Sequence, residues 1–201
     1  IGKGNPKWTL NCNDKTKGKI TVTGGTFFNY NPVTDCQEGE VIVPEGYYVV
    51  SKTEGKDVWY SVVSLEKLLA MDKAELASVL YVTEGDVTID ATDRTVTNTI
   101  DLWDDDTNDW SLVSVRETAK VTIMGGNFKA KADDCYAADV YDKDAKLVIK
   151  DGNFIGNVSA VYVFEGELVI EGGFFDIQQL NTNGVQDAYG VLINCYDANF
   201  K

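Results

Sequence analysis

Apolar and polar residues alternate over short stretches of this chain, and the same alternation returns in four places. Ile20-Thr-Val-Thr-Gly-Gly-Thr-Phe27, Val121-Thr-Ile-Met-Gly-Gly-Asn-Phe128, Leu147-Val-Ile-Lys-Asp-Gly-Asn-Phe154 and Leu168-Val-Ile-Glu-Gly-Gly-Phe-Phe175 are copies of one motif. In each, the first and third positions are apolar and face one way, the period of a half-buried strand. Glycine follows where the chain must turn sharply, and a Phe then points back inward. A second short strand precedes three copies: Val113-Ser-Val115, Val140-Tyr-Asp142 and Val161-Tyr-Val163. Gly126 and Gly152 lie 26 residues apart, and Gly152 and Gly173 lie 21 apart, a length that suits one coil of a solenoid. The pattern therefore predicts an all-β chain folded as a right-handed parallel β-helix, with an antiparallel sandwich as the competing architecture. On this reading Ile123, Phe128, Ile149, Phe154, Ile170 and Phe175 are buried in lines, and Thr122, Val148 and Val169 occupy the opposite strand face.

Other segments depart from the repeat. Tyr47–Lys52 and Val58–Val63 alternate around Thr53-Glu-Gly-Lys56, a hairpin signal with a glycine in the turn. Ser64 is placed to cap a short helix through Leu65, Leu68 and Leu69, reaching toward Leu76, and Asp72 and Glu75 have capping-box spacing for a further turn. These pieces read as caps on a solenoid, dividing the chain into residues 1–63, a coil plus hairpin, and residues 64–201, a helical cap plus the remaining coils.

The two ends carry matching sequence, Asn11-Cys-Asn-Asp14 and Asn194-Cys-Tyr-Asp197. Gly24 follows Cys12 by 12 residues, so the glycine pair that would follow Cys195 falls at roughly 207, past the last residue. The last coil thus breaks off where the first begins. Leu10, Cys12, Ile20 and Val22 at one end and Ile193 and Cys195 at the other are the candidate assembly residues. The expected partner is a second copy, head to tail or in a trimer, with intramolecular closure or a tandem parent chain as alternatives. A start at Ile reads as a processed product or an excised fragment.

Charge narrows the function. With 18 Lys+Arg against 32 Asp+Glu the net charge is −14, which repels nucleic acid and anionic lipid. No apolar run approaches the length of a membrane span, and no signal peptide is visible at Ile1, so the chain reads as soluble. Histidine is absent, which removes the commonest general base and every imidazole metal ligand. The four cysteines, Cys12, Cys36, Cys135 and Cys195, lack CxxC spacing and read as buried thiols rather than as a metal cluster or redox pair.

Carboxylates are plentiful, Asp104, Asp106, Asp139 and Asp142 among them, and read as solvated acidic turns. Only Arg94 and Arg116 are available as a clamp on an acidic sugar. Asp104-Asp-Asp-Thr-Asn108 alternates oxygen ligands but lacks the glycine and later Glu of a calcium loop, so no cofactor is expected, with calcium the one residual candidate. Trp103 and Trp110 flank that loop and, with Asp104 and Asp106, form the candidate glycan-contact patch.

Asp133-Asp-Cys-Tyr-Ala-Ala-Asp-Val140, Gly156-Asn-Val-Ser-Ala-Val-Tyr-Val163, Trp110-Ser-Leu-Val-Ser-Val-Arg116 and the tail from Gly-Gly-Thr-Phe27 to Trp59-Tyr60 resemble β-helix domains of fibre and surface proteins of gut Bacteroidales and their phages. That family places the Asn-Cys-Tyr-Asp segment before the Gly-Gly-Thr-Phe tail, whereas here the tail comes first. The resemblance implies a β-helix in an extracellular, cell-surface or virion setting and supplies no catalytic residue. The expected function is accordingly a non-enzymatic structural module. A glycan-binding adhesin is the second reading, and a polysaccharide lyase or hydrolase the third.

Overall fold

The computed structural model of the chain describes residues 9–10, 18–36, 40–98, 110–131, 135–178, 191–196 and 199–200. The N-terminal part contributes β1 (Lys19–Thr21), β2 (Thr26–Phe28), β3 (Glu40–Ile42), β4 (Tyr47–Glu54), β5 (Asp57–Ser64) and α1 (Leu65–Leu69). There follow β6 (Lys73–Leu76), β7 (Leu80–Val82), β8 (Asp86–Asn98), β9 (Trp110–Val115), β10 (Lys120–Lys129), β11 (Cys135–Val140) and β12 (Lys146–Ile149). The last elements are β13 (Asn153–Gly156), β14 (Val161–Val163), β15 (Glu167–Ile170), β16 (Phe174–Ile177), β17 (Ile193–Cys195) and β18 (Asn199–Phe200).

The chain is all-β, with several sheets that are mostly parallel and none of them closed. The largest runs β18-β15-β12-β10-β8-β6-β4-β5-β2, with β13 and β16 alongside β10; a second runs β17-β14-β11-β9-β7, and β1 pairs with β3. From β6 to β18 every strand pairing is parallel, and antiparallel pairing is confined to the contacts of β4 and β5. This excludes the antiparallel sandwich.

Parallel pairing places equivalent repeat positions in line. Val121, Leu147 and Leu168 share one register position, and Ile89, Ile123, Ile149 and Ile170 another. Val96, Phe128, Phe154 and Phe175 form a third line, its rings stacked at 5.1 Å and 5.4 Å between centroids. The second sheet answers with Leu80-Val113-Ala138-Val161-Ile193 and Val82-Val115-Val140-Val163-Cys195. Apart from Cys195, which is exposed, these lines meet in one apolar core. Thr122, Val148 and Val169 are half-buried on the other strand face, as expected, while Ile170 and Phe175 are less enclosed than their equivalents. The sixth position of all four motif copies is a glycine with a left-handed φ, 106° at Gly25, 132° at Gly126, 128° at Gly152 and 114° at Gly173, a conformation a side chain would oppose.

Three local expectations need correction. Val140 aligns with Val115 and Val163, not with Val113 and Val161. The strand equivalent to Val113–Val115 and Val161–Val163 is Ala138–Val140, whose first inward residue is an alanine. The helix does form, with Ser64 Oγ accepting from the Lys67 N–H, but it ends at Leu69. Leu76, Asp72 and Glu75 belong to no second turn: Lys73–Leu76 is drawn out as β6 by parallel pairing with Thr95–Asn98. Finally, the first motif copy keeps its glycine turn but joins no parallel ladder after it, since Thr26–Phe28 pairs antiparallel with β5.

The β4–β5 hairpin forms as the sequence indicates, Glu54 facing Asp57 across Gly55. It works as a partition. Tyr48 and Val50 of β4 enter the main core. Val49 between them enters a second, smaller core with Val22, Val62 and Ala77, against which Leu10, Ile20 and Val41 pack.

Candidate functional site

Two features of the second sheet and its ends carry chemistry beyond packing. On the outward face, the position between the apolar lines reads Tyr81, Ser114, Asp139, Tyr162, Asn194 from β7 to β17. Asp139 is fully buried. Its two carboxylate oxygens accept from Ser111 Oγ at 2.6 Å and Ser114 Oγ at 2.7 Å. Arg116 Nε donates to Ser114 Oγ at 2.6 Å, so the Ser114 hydroxyl relays between guanidinium and carboxylate, and Arg116 Nη2 stands 3.8 Å from Asp139. Burial pushes the Asp139 carboxyl above the usual Asp range, and Arg116 and the two hydroxyls pull back only part of the way. The expectation that Asp139 is a solvated turn carboxylate is overturned. A group enclosed this way ties β11 to β9 and offers no oxygen to a substrate.

The position after the last inward residue of each strand forms a second line. The N–H groups of Arg116, Tyr141, Phe164 and Tyr196 each bond back to the preceding strand's carbonyl. The guanidinium of Arg116 lies 3.9 Å from the Tyr141 ring centroid. Tyr141 stacks on Phe164 at 4.8 Å and Phe164 on Tyr196 at 5.5 Å. Each such contact between rings or cation and ring adds about 0.5 to 1.5 kcal/mol beyond burial. Tyr196 ends the line 77% exposed.

The two ends of the second sheet differ. At β7, Tyr48 Oη donates to the Tyr81 carbonyl at 3.1 Å, and the Glu45 carboxylate accepts the Thr83 N–H at 2.8 Å and its hydroxyl. That edge is closed by side chains. At the other end, β17 and β18 are the last strands of their sheets among the described residues. Cys195 continues the line of Val163 yet is exposed, and Ile193 is half-buried. The expectation that Cys195 is a buried thiol therefore fails, because no further strand covers it among the described residues, whereas Cys135 is buried as expected.

The N-terminal assembly candidates sit past the hairpin: Val22 is buried in the smaller core, with Leu10 and Ile20 against it. There β1 pairs with β3 in parallel, and Lys19 Nζ reaches Glu40 across 21 residues at 2.9 Å. Lys146 pairs with Glu167 in the same way at 3.2 Å, the opening residues of β12 and β15. Cys12, Trp103, Asp104 and Asp106 lie outside the described residues. Trp110 opens β9 in register with Cys135. Arg94 is bound to Asp72, and Arg116 is committed to Tyr141 and Ser114, so neither is a free clamp for an acidic sugar. Sequence reasoning missed the Asp139 cluster; its signal was an Asp inside the apolar run Ala137-Ala138-Asp139-Val140, in phase with the serines of Trp110–Val115.

No protein-family model matches the chain, and no curated protein and no solved structure matches it.

Proposed function

We propose that this chain is a structural module, a segment of right-handed parallel β-helix from a fibre or surface filament, whose task is rigid display and end-to-end assembly rather than catalysis. The observation that carries the reading is the repetition of the Lys-over-Glu parallel pair on both sides of the hairpin, Lys19–Glu40 and Lys146–Glu167. A β1–β3 pair with the strand spacing of β12–β15 is a piece of the same ladder. It is separated from the rest by an antiparallel hairpin, as in a cut through a tandem array. Parallel crossovers of this kind are right-handed in nearly all sheets. The open end of one copy, with its half-covered apolar lines and exposed Tyr196, is complementary in kind to the β1–β3 end of the next. A contact between unlike ends does not close on itself and grows into a filament. The sequence resemblance to fibre and surface proteins supports a setting for this assembly outside the cell or on a virion.

Light scattering after size exclusion, over a range of concentrations and with electron microscopy of the largest species, tests this. The wild type should grow in mass with concentration, and Tyr196→Asp, which alters a largely exposed ring, should stay monomeric with an unchanged melting temperature. A wild type that remains monomeric throughout, or a Tyr196→Asp protein that assembles equally well, would refute end-to-end assembly.

A further inference from the structure

Each inner strand of the parallel ladder pairs on one side with a strand earlier in the chain and on the other with a later one. Among the described residues β18 has only an earlier neighbour, β15, and β1 has only a later one, β3. Each edge lacks the kind of neighbour the other would be. The register agrees as well. The line that opens the motif strands reads Asp86, Lys120, Lys146, Glu167, Asn199 from β8 to β18, and beside it runs Val87, Val121, Leu147, Leu168, Phe200. Lys19 and Ile20 hold these two positions in the first motif copy and face Glu40 and Val41 of β3. Set after β18, β1 brings Lys19 to Asn199 and Ile20 to Phe200. One line then stays polar and the other apolar across the junction, as the pleat of a continuous sheet requires.

The second sheet supplies an independent argument. Its first inward line, Leu80, Val113, Ala138, Val161 and Ile193, runs 7 to 9 residues ahead of the line that ends at Phe200. Leu10 stands before Asn-Cys-x-Asp as Ile193 does, and it lies 10 residues ahead of Ile20. Both pack against the smaller core, and the Leu10 carbonyl accepts from Tyr30 Oη at 3.3 Å. Leu10 and Ile20 are therefore spaced like the two sheets of one coil, and both are only half-buried. At the opposite end Leu192 is 46% and Tyr196 77% exposed, and Ile193 is half-buried. Within one copy these surfaces are far apart. Six strand spacings separate β18 from β4 in the large sheet, each about 4.8 Å, and β1 packs on the core beyond that hairpin. The strand that fits β18 is therefore one from a second copy.

We infer that β1 of a second copy seats on β18 as the next parallel strand of the large sheet, Lys19 opposite Asn199 and Ile20 opposite Phe200, while Leu10 of that copy covers Ile193. This pairing rests on the end-to-end assembly proposed above and fixes which strands meet and in what register. Filaments co-assembled from full chains labelled only in carbon and full chains labelled only in nitrogen test it, because nitrogen–carbon transfer in solid-state NMR then crosses between copies alone. Contacts of Asn199 and Phe200 with Lys19 and Ile20, and of Ile193 with Leu10, are expected. Asn199→Lys sets two ammonium groups opposite each other at the junction. It should raise the concentration for half-assembly about two- to fivefold at an unchanged melting temperature, and combining it with Lys19→Glu should bring that concentration back. Filaments whose contacts between copies join β18 to β18, reach β2 or fall in another register would overturn the pairing and leave assembly standing. So would an Asn199→Lys protein that assembles like the wild type, or a double variant no better than Asn199→Lys alone. A wild type that is monomeric at every concentration would overturn both the pairing and the assembly it rests on.

Discussion

Replacing Phe154 by Ala should lower the free energy of unfolding by about 3 to 5 kcal/mol, read from the shift in a urea or thermal melt. Phe154 is fully buried. Its ring lies between two others, Phe128 at 5.1 Å and Phe175 at 5.4 Å, nearly parallel to both. Truncation therefore removes contacts on two faces and leaves a hole that backbone hydrogen bonds on both neighbouring strands keep from collapsing. Phe175→Ala should cost distinctly less, since Phe175 is only half-buried and lies on the last complete rung of that line. Equal losses at the two positions would mean that the end of the ladder is covered as thoroughly as its middle.

Asp139→Ala should cost about 3 kcal/mol, because it leaves two buried serine hydroxyls without their acceptor and Arg116 without its carboxylate. The pH dependence of Asp139→Asn is more discriminating. Burial raises the Asp139 pKa in the folded protein, so the folded state holds this proton more tightly than the unfolded chain does. The corresponding stability is complete below about pH 4, where an Asp in an unfolded chain is also protonated. It is lost as pH rises through the folded-state value. The wild type's stability relative to Asp139→Asn should therefore be greatest in acid and decline toward neutrality, in paired melts from pH 4 to 8. A relative stability that instead grows with pH would show that Arg116 and the serines outweigh burial.

The periodic parts of the fold were legible because they depend on alternation and glycine placement, which sequence displays directly: the motif strands over Val121–Phe128, Leu147–Phe154 and Leu168–Phe175, the hairpin around Gly55, the Ser64 cap. The register of Val140 was not, since the inward position two residues before it is held by Ala138, which announces a core position less clearly than the valines it lies in register with. Glu75 was misread because its short-range spacing fits a capping box, while the partner that decides its conformation, Thr97, lies 22 residues away on β8. Asp139 was misjudged by residue type: an Asp is normally at the surface, and Ser111, Ser114 and Arg116 from the preceding strand and its end make its burial tolerable. The acidic loop holding Trp103, Asp104 and Asp106 lies outside the described residues.

The unequal ends of the second sheet give the molecule a direction of wear. Each inner strand of that sheet pairs with the strand on either side, so opening proceeds most readily from an edge, one strand at a time. At β7 that edge is held by Tyr48 and Glu45, whereas at the other edge, among the described residues, Tyr196 and Cys195 are exposed. Amide protons should accordingly exchange with solvent first in β17, then in β14, then in β11, as a zip opens from its free end, and the slider stops against the hairpin.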